Sequence, residues 1–332
     1  MRAELRGVRL ALALLLSCLV VPSWGADAAT AGLLSEPGPT FKIASPKGAW
    51  TVIAYGDMRF TDPTNTTNTD PTARRALVSK IAEEKPDALL LSGDVPLNGA
   101  VANDYEVFRA ETAAWRAAGL KVYPAIGNHE LRGGNSLANW WNAFPELKGR
   151  RWYSVEFGEA YFITLDSNLD LTASGGVQSA WLAKQLAGLP KGTKYVFISM
   201  HHPPMSDPIA FLPTHNVRAN EVALAGQLEA AAKKSAAKII VIAGHVHAYQ
   251  RFERNGVVYL VSGGGGAAQH LLSRSAGNLY QNNVYPNFHY VKFESEHGAL
   301  KATMYRLNAK GGFEASDSFL VGEAAKGAAA AR

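Results

Sequence analysis

The 332-residue sequence predicts an α/β fold, and three patterns support this class. Short apolar runs rich in β-branched residues recur along the chain and indicate strands. Stretches of helix-favouring residues lie between many of these runs, which is the order of an α/β protein. Near the C-terminus several strands follow one another without helices, which indicates a mixed sheet or two stacked sheets.

Ten strands and four helices are predicted in chain order. The strands are TVIAYGD, DALLLSGD, LKVYPAIGN, RWYSVEFG, AYFITLDSN, KYVFISMHH, KIIVIAGHVH, GVVYLVSGG, HYVKFES and LKATMYRLN. The helices are expected at about 71–85, 103–118, 177–188 and 219–236. The first begins after Asp70-Pro71, where proline is favoured at the first helical position. The last is rich in alanine, leucine and lysine, which favour helix.

The first 28 residues are expected to be a signal peptide, which predicts a periplasmic or secreted protein. Early arginines precede an apolar run from Leu10 to Val21, and Ala26-Asp27-Ala28 fits a cleavage site. The apolar run is too short to span a bilayer comfortably. Cys18 is the only cysteine and lies inside this segment, so the mature protein would have no thiol. Lipid attachment at Cys18 is the alternative, and it is the only route to a stable membrane partner that we expect.

The rest of the chain is expected to form one domain. Residues 29–47 are predicted to be a leader, residues 48–320 the domain and residues 321–332 a low-complexity tail. The fractions of hydrophobic (47%) and charged (18%) residues are ordinary for a globular protein. The formal charge is +5, but the basic residues are scattered, so we expect no nucleic-acid partner.

Polar groups follow five of the predicted strands at the point where each strand ends. In open α/β sheets, sites form beyond the carboxyl ends of the strands. A lone Gly-Asp is usually a turn, Asn128 could cap a helix, and His201-His202-Pro203-Pro204 could be a strand broken by proline. Together, however, they predict a site at one sheet edge. The groups are Asp57, Asp94, Asn128-His129-Glu130, His201-His202 and His245-Val246-His247.

The donor types indicate a metal site with two ions. Oxygen and nitrogen ligands without sulfur suit manganese, iron or zinc. A carboxylate has two oxygens, so one aspartate can bridge two ions. Two neighbouring ions can clamp a phosphoryl group and generate a hydroxide near neutral pH. We therefore expect two divalent or trivalent metal ions (Mn, Fe or Zn), their identity left open.

In this order the motifs resemble those of the calcineurin-like metallophosphoesterases, whose pattern is D-x-H, G-D, G-N-H-[DE], H and G-H-x-H. The segments GNHE and GHVHAYQR resemble especially the purple acid phosphatase branch. The motifs span residues 56–247. The resemblance implies a four-layer α-β-β-α sandwich with two mixed β-sheets.

The resemblance also implies a role for each site residue. His129 would face the substrate phosphate and assist the leaving group. His201 is preferred over His202 as a ligand because His201-His202-Pro203 matches the family's H-x-P spacing. The first metal would be held by Asp57, Asp94 and His247, and the second by Asp94, which bridges, with Asn128, His201 and His245.

Two positions depart from the family pattern. Arg59 stands two residues after the first aspartate, where many members have histidine, and an arginine stays protonated and cannot ligate. We expect Arg59 to clamp the substrate phosphate, the alternative being an arginine turned outward. Leu97 stands three residues after the second aspartate, where the purple enzymes have their iron-binding tyrosine, so their colour should be absent.

The sequence therefore predicts an exported dinuclear phosphoesterase for small-molecule phosphate esters, with attack by a metal-bound hydroxide. A phosphomonoesterase is favoured. A phosphodiesterase with the same site, and a catalytically degenerate metal- or phosphate-binding member, are the alternatives. The glycine run 263–266 is expected to border the site. Five further residues carry weaker expectations. Tyr249 and Arg251 are candidates to line the site, and the other three are expected to be structural or surface histidines: His215, His270 and His289.

Overall fold

The computed structural model describes residues 39–44, 48–172, 176–211, 215–296 and 298–322. The predicted signal peptide, Cys18, most of the leader and most of the low-complexity tail lie outside these residues. In the described part of the chain, no helix is both long and apolar enough to cross a membrane.

Thirteen strands in the described residues form two sheets. The seven-stranded sheet has the order β1-β5-β6-β7-β8-β10-β9, and the six-stranded sheet has the order β13-β12-β11-β2-β3-β4. The strands are β1 (Thr40–Lys42), β2 (Trp50–Tyr55), β3 (Ala88–Leu91), β4 (Val122–Pro124), β5 (Tyr153–Phe157), β6 (Ala160–Thr164), β7 (Tyr195–Ser199), β8 (Lys238–Ala243), β9 (Tyr249–Arg254), β10 (Val257–Ser262), β11 (His289–Glu296), β12 (Ala299–Leu307) and β13 (Phe313–Leu320).

Both sheets are mixed, with parallel and antiparallel strand pairs in each. β2, β3 and β4 run parallel in the smaller sheet, where β11 joins β2 antiparallel. In the larger sheet β6, β7, β8 and β10 run parallel, and β9 closes an antiparallel hairpin with β10. All ten predicted strands are present, while β1, β9 and β13 were not predicted.

Six α-helices occur in the described residues. The predicted helix at 103–118 is two helices that meet at Thr112, and the helix Ser136–Ala143 was not predicted. The first helix begins at Pro71 with Asp70 as its cap, the side chain accepting from the Ala73 amide at 2.8 Å. The helices are α1 (Pro71–Glu84), α2 (Ala102–Glu111), α3 (Ala113–Ala117), α4 (Ser136–Ala143), α5 (Val177–Ala187) and α6 (Ala219–Ala232).

The two sheets pack face to face, with helices outside each. Aromatic rings fill the space between the sheets: the ring centroids of Phe197 in β7 and Phe293 in β11 are 5.0 Å apart. Alternate residues of β8 serve different cores, because Ile240 faces the other sheet while Ile239 packs with the α5 and α6 residues. The predicted α-β-β-α sandwich is confirmed. Its parallel strands end at a common edge, where the polar groups lie.

Candidate metal centre

Five strand ends deliver the predicted site residues to one place between the two sheets. β2, β3 and β4 of the smaller sheet lead into Asp57, Asp94 and the Asn128-His129 turn. β7 and β8, which are neighbours in the larger sheet, lead into His201 and the His245–His247 segment. The structure thus brings together all six predicted metal ligands, which are Asp57, Asp94, Asn128, His201, His245 and His247.

The backbone is held in an uncommon conformation at three of these residues. Asp57, Asp94 and His245 have φ values of 59°, 55° and 70°, in the left-handed region that non-glycine residues rarely occupy. Such strain persists where the surrounding structure fixes it and is concentrated at functional sites. The Asp57 carboxylate accepts the His245 amide at 3.0 Å, so the ends of β2 and β8 are tied directly.

Two glycines allow the carboxylates to approach the neighbouring strand ends. A side chain at Gly127 would overlap the Asp94 carboxylate and amide, and one at Gly244 would overlap the Asp57 carboxylate. The glycine before each ligand motif is therefore required by close packing. The glycine run 263–266 serves the same purpose, because a side chain at Gly265 would meet the Gly56 carbonyl.

One half of the centre consists of Asn128, His201 and His245, which we call the imidazole half. Asn128 Oδ1 lies 3.0 Å from His201 Nε2 and 3.2 Å from His245 Nδ1. His201 Nδ1 lies 2.9 Å from the Ser92 carbonyl oxygen, which can only accept, so Nδ1 carries the proton. Burial lowers the pKa of His201, so the ring is neutral and its Nε2 presents a lone pair.

The other half consists of Asp57 and His247, which we call the aspartate half. His247 Nδ1 donates to the Ala268 carbonyl at 2.6 Å, which leaves a lone pair on Nε2. That Nε2 lies 3.5 Å from Asp57 Oδ1 and is buried without a hydrogen-bond partner among the described residues. Burial places the pKa of His247 well below its ordinary value, so this ring is also neutral.

Asp94 stands between the two halves. Its Oδ1 lies 3.3 Å from His201 Nε2 and accepts the His129 amide at 3.0 Å. One ligand atom each from Asp57, Asp94 and His201 lies within 4.8 Å of the others. Burial raises the pKa of Asp57 and the charge of Asp94 raises it further, whereas His201, His129 and Arg59 lower the pKa of Asp94 against the effect of its burial.

The residues fit a bound cation. In both halves a carboxylate oxygen faces an imidazole lone pair across 3.3–3.5 Å, and two acceptors cannot form a hydrogen bond with each other. A cation between them would relieve this repulsion and neutralise the buried aspartates. Oxygen and imidazole nitrogen donors without thiolate suit manganese, iron or zinc.

His129 faces the same centre from the turn after β4. Its Nδ1 lies 2.5 Å from the Leu97 carbonyl, so the proton is on Nδ1. Its Nε2 lies 3.6 Å from Asp94 Oδ2 and has no hydrogen-bond partner in the described residues. Burial is the main reason that the pKa of His129 is lowered to about 3. The ring is therefore a neutral group directed at the space beside Asp94.

Arg59 is turned into the site. Its Nη2 lies 3.3 Å from Asp94 Oδ2, and only 13% of the side chain is exposed. Its Nε is buried and has no hydrogen-bond partner among the described residues. The outward orientation that the sequence left open is therefore not the one the structure shows.

His202 is oriented differently from its neighbour His201. Ser167 Oγ accepts the His202 amide at 3.0 Å and lies 2.9 Å from His202 Nδ1. A hydroxyl that donates its single hydrogen to Nδ1 would place the His202 proton on Nε2. His202 would then be a hydrogen-bond donor at the edge of the imidazole half. Its ring centroid is 4.5 Å from that of His245.

Glu130 organises the site, a role that the sequence did not indicate. Its buried carboxylate accepts the amides of Asp94 at 3.0 Å, Val95 at 2.7 Å and Gly127 at 2.8 Å. These bonds join the loops after β3 and β4. The position of Glu130 in the GNHE segment was the available signal, but its three partners are set only by the fold.

Three other residues come close to the centre without having been predicted there. His215 has its ring centroid 4.6 Å from that of His245, and His270 stacks on His247 at 4.1 Å. Arg132 lies close enough for its charge to act on His129. Tyr249 and Arg251 instead bind Asp317 of β13, at 2.9 and 2.8 Å, so they support the sheets.

A family model for calcineurin-like phosphoesterases matches residues 52–249, which include every predicted ligand. The chain belongs to the calcineurin-like phosphoesterase family. No curated protein sequence matches the chain.

Solved structures share the fold at low sequence identity. A purple acid phosphatase from yellow lupin has a TM-score of 0.66 at 20% identity, over 84% of this chain and 55% of the lupin chain. GAP50, the anchor in the inner membrane complex of Plasmodium, has a TM-score of 0.58 at 15% identity, over 83% and 89%. A dimetal phosphatase from Danio rerio has a TM-score of 0.51 at 13% identity, over 83% and 99%. The chain thus spans about half the length of the lupin enzyme.

Proposed function

We propose that this protein is an exported, dinuclear metal-dependent phosphatase that hydrolyses phosphate monoesters. The observation that carries the proposal is the pairing of carboxylate oxygens with imidazole lone pairs in both halves of one buried centre. The two pairs, Asp94 with His201 and Asp57 with His247, support two ions. Family membership supports a phosphate ester as the substrate.

The side chains of the site divide the work of the reaction. When bound, the ions supply a nucleophile derived from water and positive charge for the phosphoryl group. Arg59 binds a phosphate oxygen, since its guanidinium already lies at the centre with an unpartnered Nε. An anionic phosphate beside His129 raises the pKa of that ring. His129 then holds a proton at Nε2 and donates it to the departing oxygen.

The charge of the centre favours a monoester over a diester. The positive charge of two divalent ions and Arg59 exceeds the negative charge of Asp57 and Asp94. The other predicted site residues are neutral. A monoester dianion balances more of this excess than a diester, which has one negative charge. Phosphodiester hydrolysis at the same site is the alternative outcome.

A second candidate function is binding without turnover. Arg59 Nη2 lies 3.3 Å from Asp94 Oδ2, so this ion pair would compete with a metal ion for that oxygen. If this ion pair persists, the aspartate half would hold its ion weakly. GAP50, a protein of the same fold, is described as an anchor, which supports a structural or binding role as the alternative.

Metal analysis followed by hydrolysis assays on the same sample tests the proposal. The purified mature protein would be assayed with p-nitrophenyl phosphate and bis-p-nitrophenyl phosphate in Mn²⁺, Zn²⁺ or Fe²⁺. We expect two ions per chain, metal-dependent turnover and a preference for the monoester. One ion or none, with no turnover in any metal, would leave the binding protein as the function. A preference for the diester would replace phosphatase with phosphodiesterase.

Export rests on the N-terminal sequence alone. Mass spectrometry of the protein from a bacterial host should find it in the periplasmic or medium fraction, with an N-terminus near residue 29. A Cys18→Ser variant is the control for lipid attachment. An unprocessed N-terminus in the cytoplasm would contradict export, and a diacylated Cys18 would contradict the cleaved soluble form.

A further inference from the structure

Arg74 is a buried arginine of α1 that none of the proposed steps uses. It lies near the start of the helix, and none of its side chain is exposed. Its Nε and Nη2 donate to the carboxylate of Glu111, the last residue of α2, at 2.9 and 3.0 Å. Its guanidinium carbon lies 4.9 Å from the centre of the Phe60 ring. Arg74 therefore joins two helices to the loop that follows β2.

One hydrogen bond of Arg74 reaches the metal centre. Its Nη1 donates to the Thr69 hydroxyl at 2.7 Å and to the Arg59 carbonyl at 3.3 Å. The side chain of Arg59 extends from there to Asp94, where its Nη2 lies 3.3 Å from Oδ2. A continuous series of contacts thus runs from Glu111 through the two arginines to the central aspartate.

The backbone of Arg59 is held in an uncommon conformation. Its φ is 49°, in the left-handed region that residues other than glycine rarely occupy. Its amide donates to the Asp94 carbonyl at 2.9 Å, and its carbonyl accepts the bond from Arg74. Such a conformation persists only where the surrounding contacts fix it. Loss of Arg74 would remove one of the two hydrogen bonds that hold this backbone.

Close packing keeps Arg74 in this place. A side chain at Gly266 would lie 2.8 Å from Arg74 Cβ and 3.0 Å from the Met58 carbonyl oxygen. The Asp70 amide, at the start of α1, donates to the Gly266 carbonyl at 2.7 Å. The glycine run thus lies directly against both Arg74 and the residue before Arg59, which leaves the two arginines little freedom to move apart.

A purely structural role for Arg74, joining α1 to α2, explains less of what is observed. The neighbouring Arg75 contacts the same Glu111 carboxylate at 3.2 Å while 51% of its side chain is exposed. Within the described residues Arg75 has no hydrogen bond to the loop after β2. A buried ion pair is often no more stabilising than apolar side chains of similar volume. The complete burial of Arg74 is better explained by its bond to Arg59, which Arg75 does not make.

We propose that Arg74 is a positioning residue for Arg59, which holds the Arg59 backbone so that the guanidinium is directed at Asp94 and at the substrate phosphate. The inference rests on the proposed use of Arg59 to bind that phosphate. Arg74 itself does not touch the substrate. Because the Arg59 charge beside Asp94 attracts phosphate and repels a cation, release of Arg59 should weaken phosphate binding and strengthen metal binding.

Binding measurements test the inference without turnover. Calorimetry would follow the titration of metal-free protein with Mn²⁺ and of Mn²⁺-loaded protein with inorganic phosphate. We expect Arg74→Met to weaken phosphate binding about fivefold and to strengthen the weaker Mn²⁺ site about threefold. Arg75→Met is the matched control, because it removes a charge and a contact with the same glutamate. It should leave both affinities within about 1.5-fold of those of the natural protein.

The double variant with Arg59→Ala separates positioning from a general loss of structure. If Arg74 acts through Arg59, Arg74→Met should change neither affinity by more than about 1.5-fold once residue 59 is alanine. Equal effects of Arg74→Met with and without Arg59 would overturn the inference. A weakened Mn²⁺ site in Arg74→Met would also overturn it, because that is the result of a disturbed centre.

A milder variant keeps the test decisive if Arg74→Met does not fold. Thr69→Val removes the hydroxyl that accepts Arg74 Nη1 and leaves the pair with Glu111 in place. We expect phosphate affinity to fall about threefold, and only while Arg59 is present. A phosphate affinity equal to that of the natural protein would count against the inference.

Hydrolysis of p-nitrophenyl phosphate by the same variants separates this inference from the proposed function. In an active enzyme, Arg74→Met should raise KM about fivefold and leave kcat within about twofold. No turnover by any protein, with the Arg59-dependent binding effects present, would reject the phosphatase and keep the positioning role. Turnover with independent effects of the two substitutions would keep the phosphatase and reject the positioning role. If Arg59→Ala changed neither affinity, Arg74 would have nothing to position and the inference would be wrong.

Discussion

The imidazole half and the aspartate half of the metal centre meet at Asp94 but are built differently. The imidazole half brings three donor side chains, two of them neutral imidazoles in mutual contact at 3.2 Å. The aspartate half brings one carboxylate and one imidazole, and Arg59 stands where a further donor is expected. The ligand pattern of the family is thus kept in the imidazole half and altered in the aspartate half, while the strands that carry the residues are the same.

The surroundings of the two halves also favour an ion in the imidazole half. His202 and His215 surround the imidazole half with further rings, 4.5 and 4.6 Å from that of His245. Arg59 takes the place of a donor at the aspartate half and pairs with the shared Asp94 at 3.3 Å, so its positive charge would repel a cation. We therefore expect an ion in the imidazole half to bind more tightly than one in the aspartate half.

Removal of Asp94 should abolish both halves at once. We expect Asp94→Ala to lose both ions and to reduce kcat/KM for p-nitrophenyl phosphate by about 10³-fold or more, because several kcal/mol of charge stabilisation are lost. Metal content per chain and steady-state kinetics measure both effects. Asp62→Ala, at an exposed carboxylate, is the control. A variant that kept one ion with full affinity would show that Asp94 is not shared.

Removal of one histidine from each half should distinguish them. His247→Ala leaves the aspartate half with carboxylates only, so we expect that ion to be lost and kcat/KM to fall by roughly 10²-fold. His245→Ala leaves Asn128, His201 and Asp94, so we expect its ion to be weakened by about 10- to 100-fold but retained at high metal. Metal titrations of the two variants measure this. Equal losses in both would contradict the contrast between the halves.

Replacement of Arg59 should improve the aspartate half while harming substrate binding. Arg59→His supplies an imidazole and removes a positive charge, so we expect metal affinity there to rise about tenfold. Arg59→Ala removes the charge without adding a donor and should give a smaller gain. Both variants should raise KM. Metal affinity and KM unchanged in both would show that Arg59 neither repels the ion nor holds the substrate.

Loss of the Ser167 hydroxyl should have the smallest effect. Ser167→Ala frees the His202 ring to change its tautomer, a loss of about 1 kcal/mol, so we expect KM to rise roughly fivefold with metal content unchanged. Ser167→Thr keeps the hydroxyl and is the matched control. If Ser167→Ala lost an ion instead, His202 would have to be counted as a ligand.

The sequence predicted the elements that bury strongly apolar segments. All ten predicted strands are apolar runs that face a core on at least one side. The missed strand β9 reads YQRFER; its Arg251 is compensated by Asp317 and the Phe319 ring of the other sheet, and its Arg254 by Glu229 of α6. The missed strand β13 is an edge strand with half its residues polar. Neither pattern carries enough apolar periodicity to be recognised without its neighbours.

The structure brings together the predicted residues that follow strand ends, and it adds neighbours from loops that the sequence did not indicate. Asp57, Asp94 and His201 follow buried runs directly, and parallel strands bring their ends to one edge. His215 and His270 lie well beyond the ends of β7 and β10, so the sequence gives no sign that their loops return to the centre.

The α/β class, the order of the strands and the six residues that follow them could be predicted from the sequence alone. Hydrophobic periodicity and strand ends are local properties of the chain. The packing of the two sheets set which lone pairs face which carboxylates and turned Arg59 inward. Those properties depend on distances between segments such as β2 and β8, which are far apart in the chain. Contacts of that kind arise only when two sheets pack and bring their carboxyl ends together.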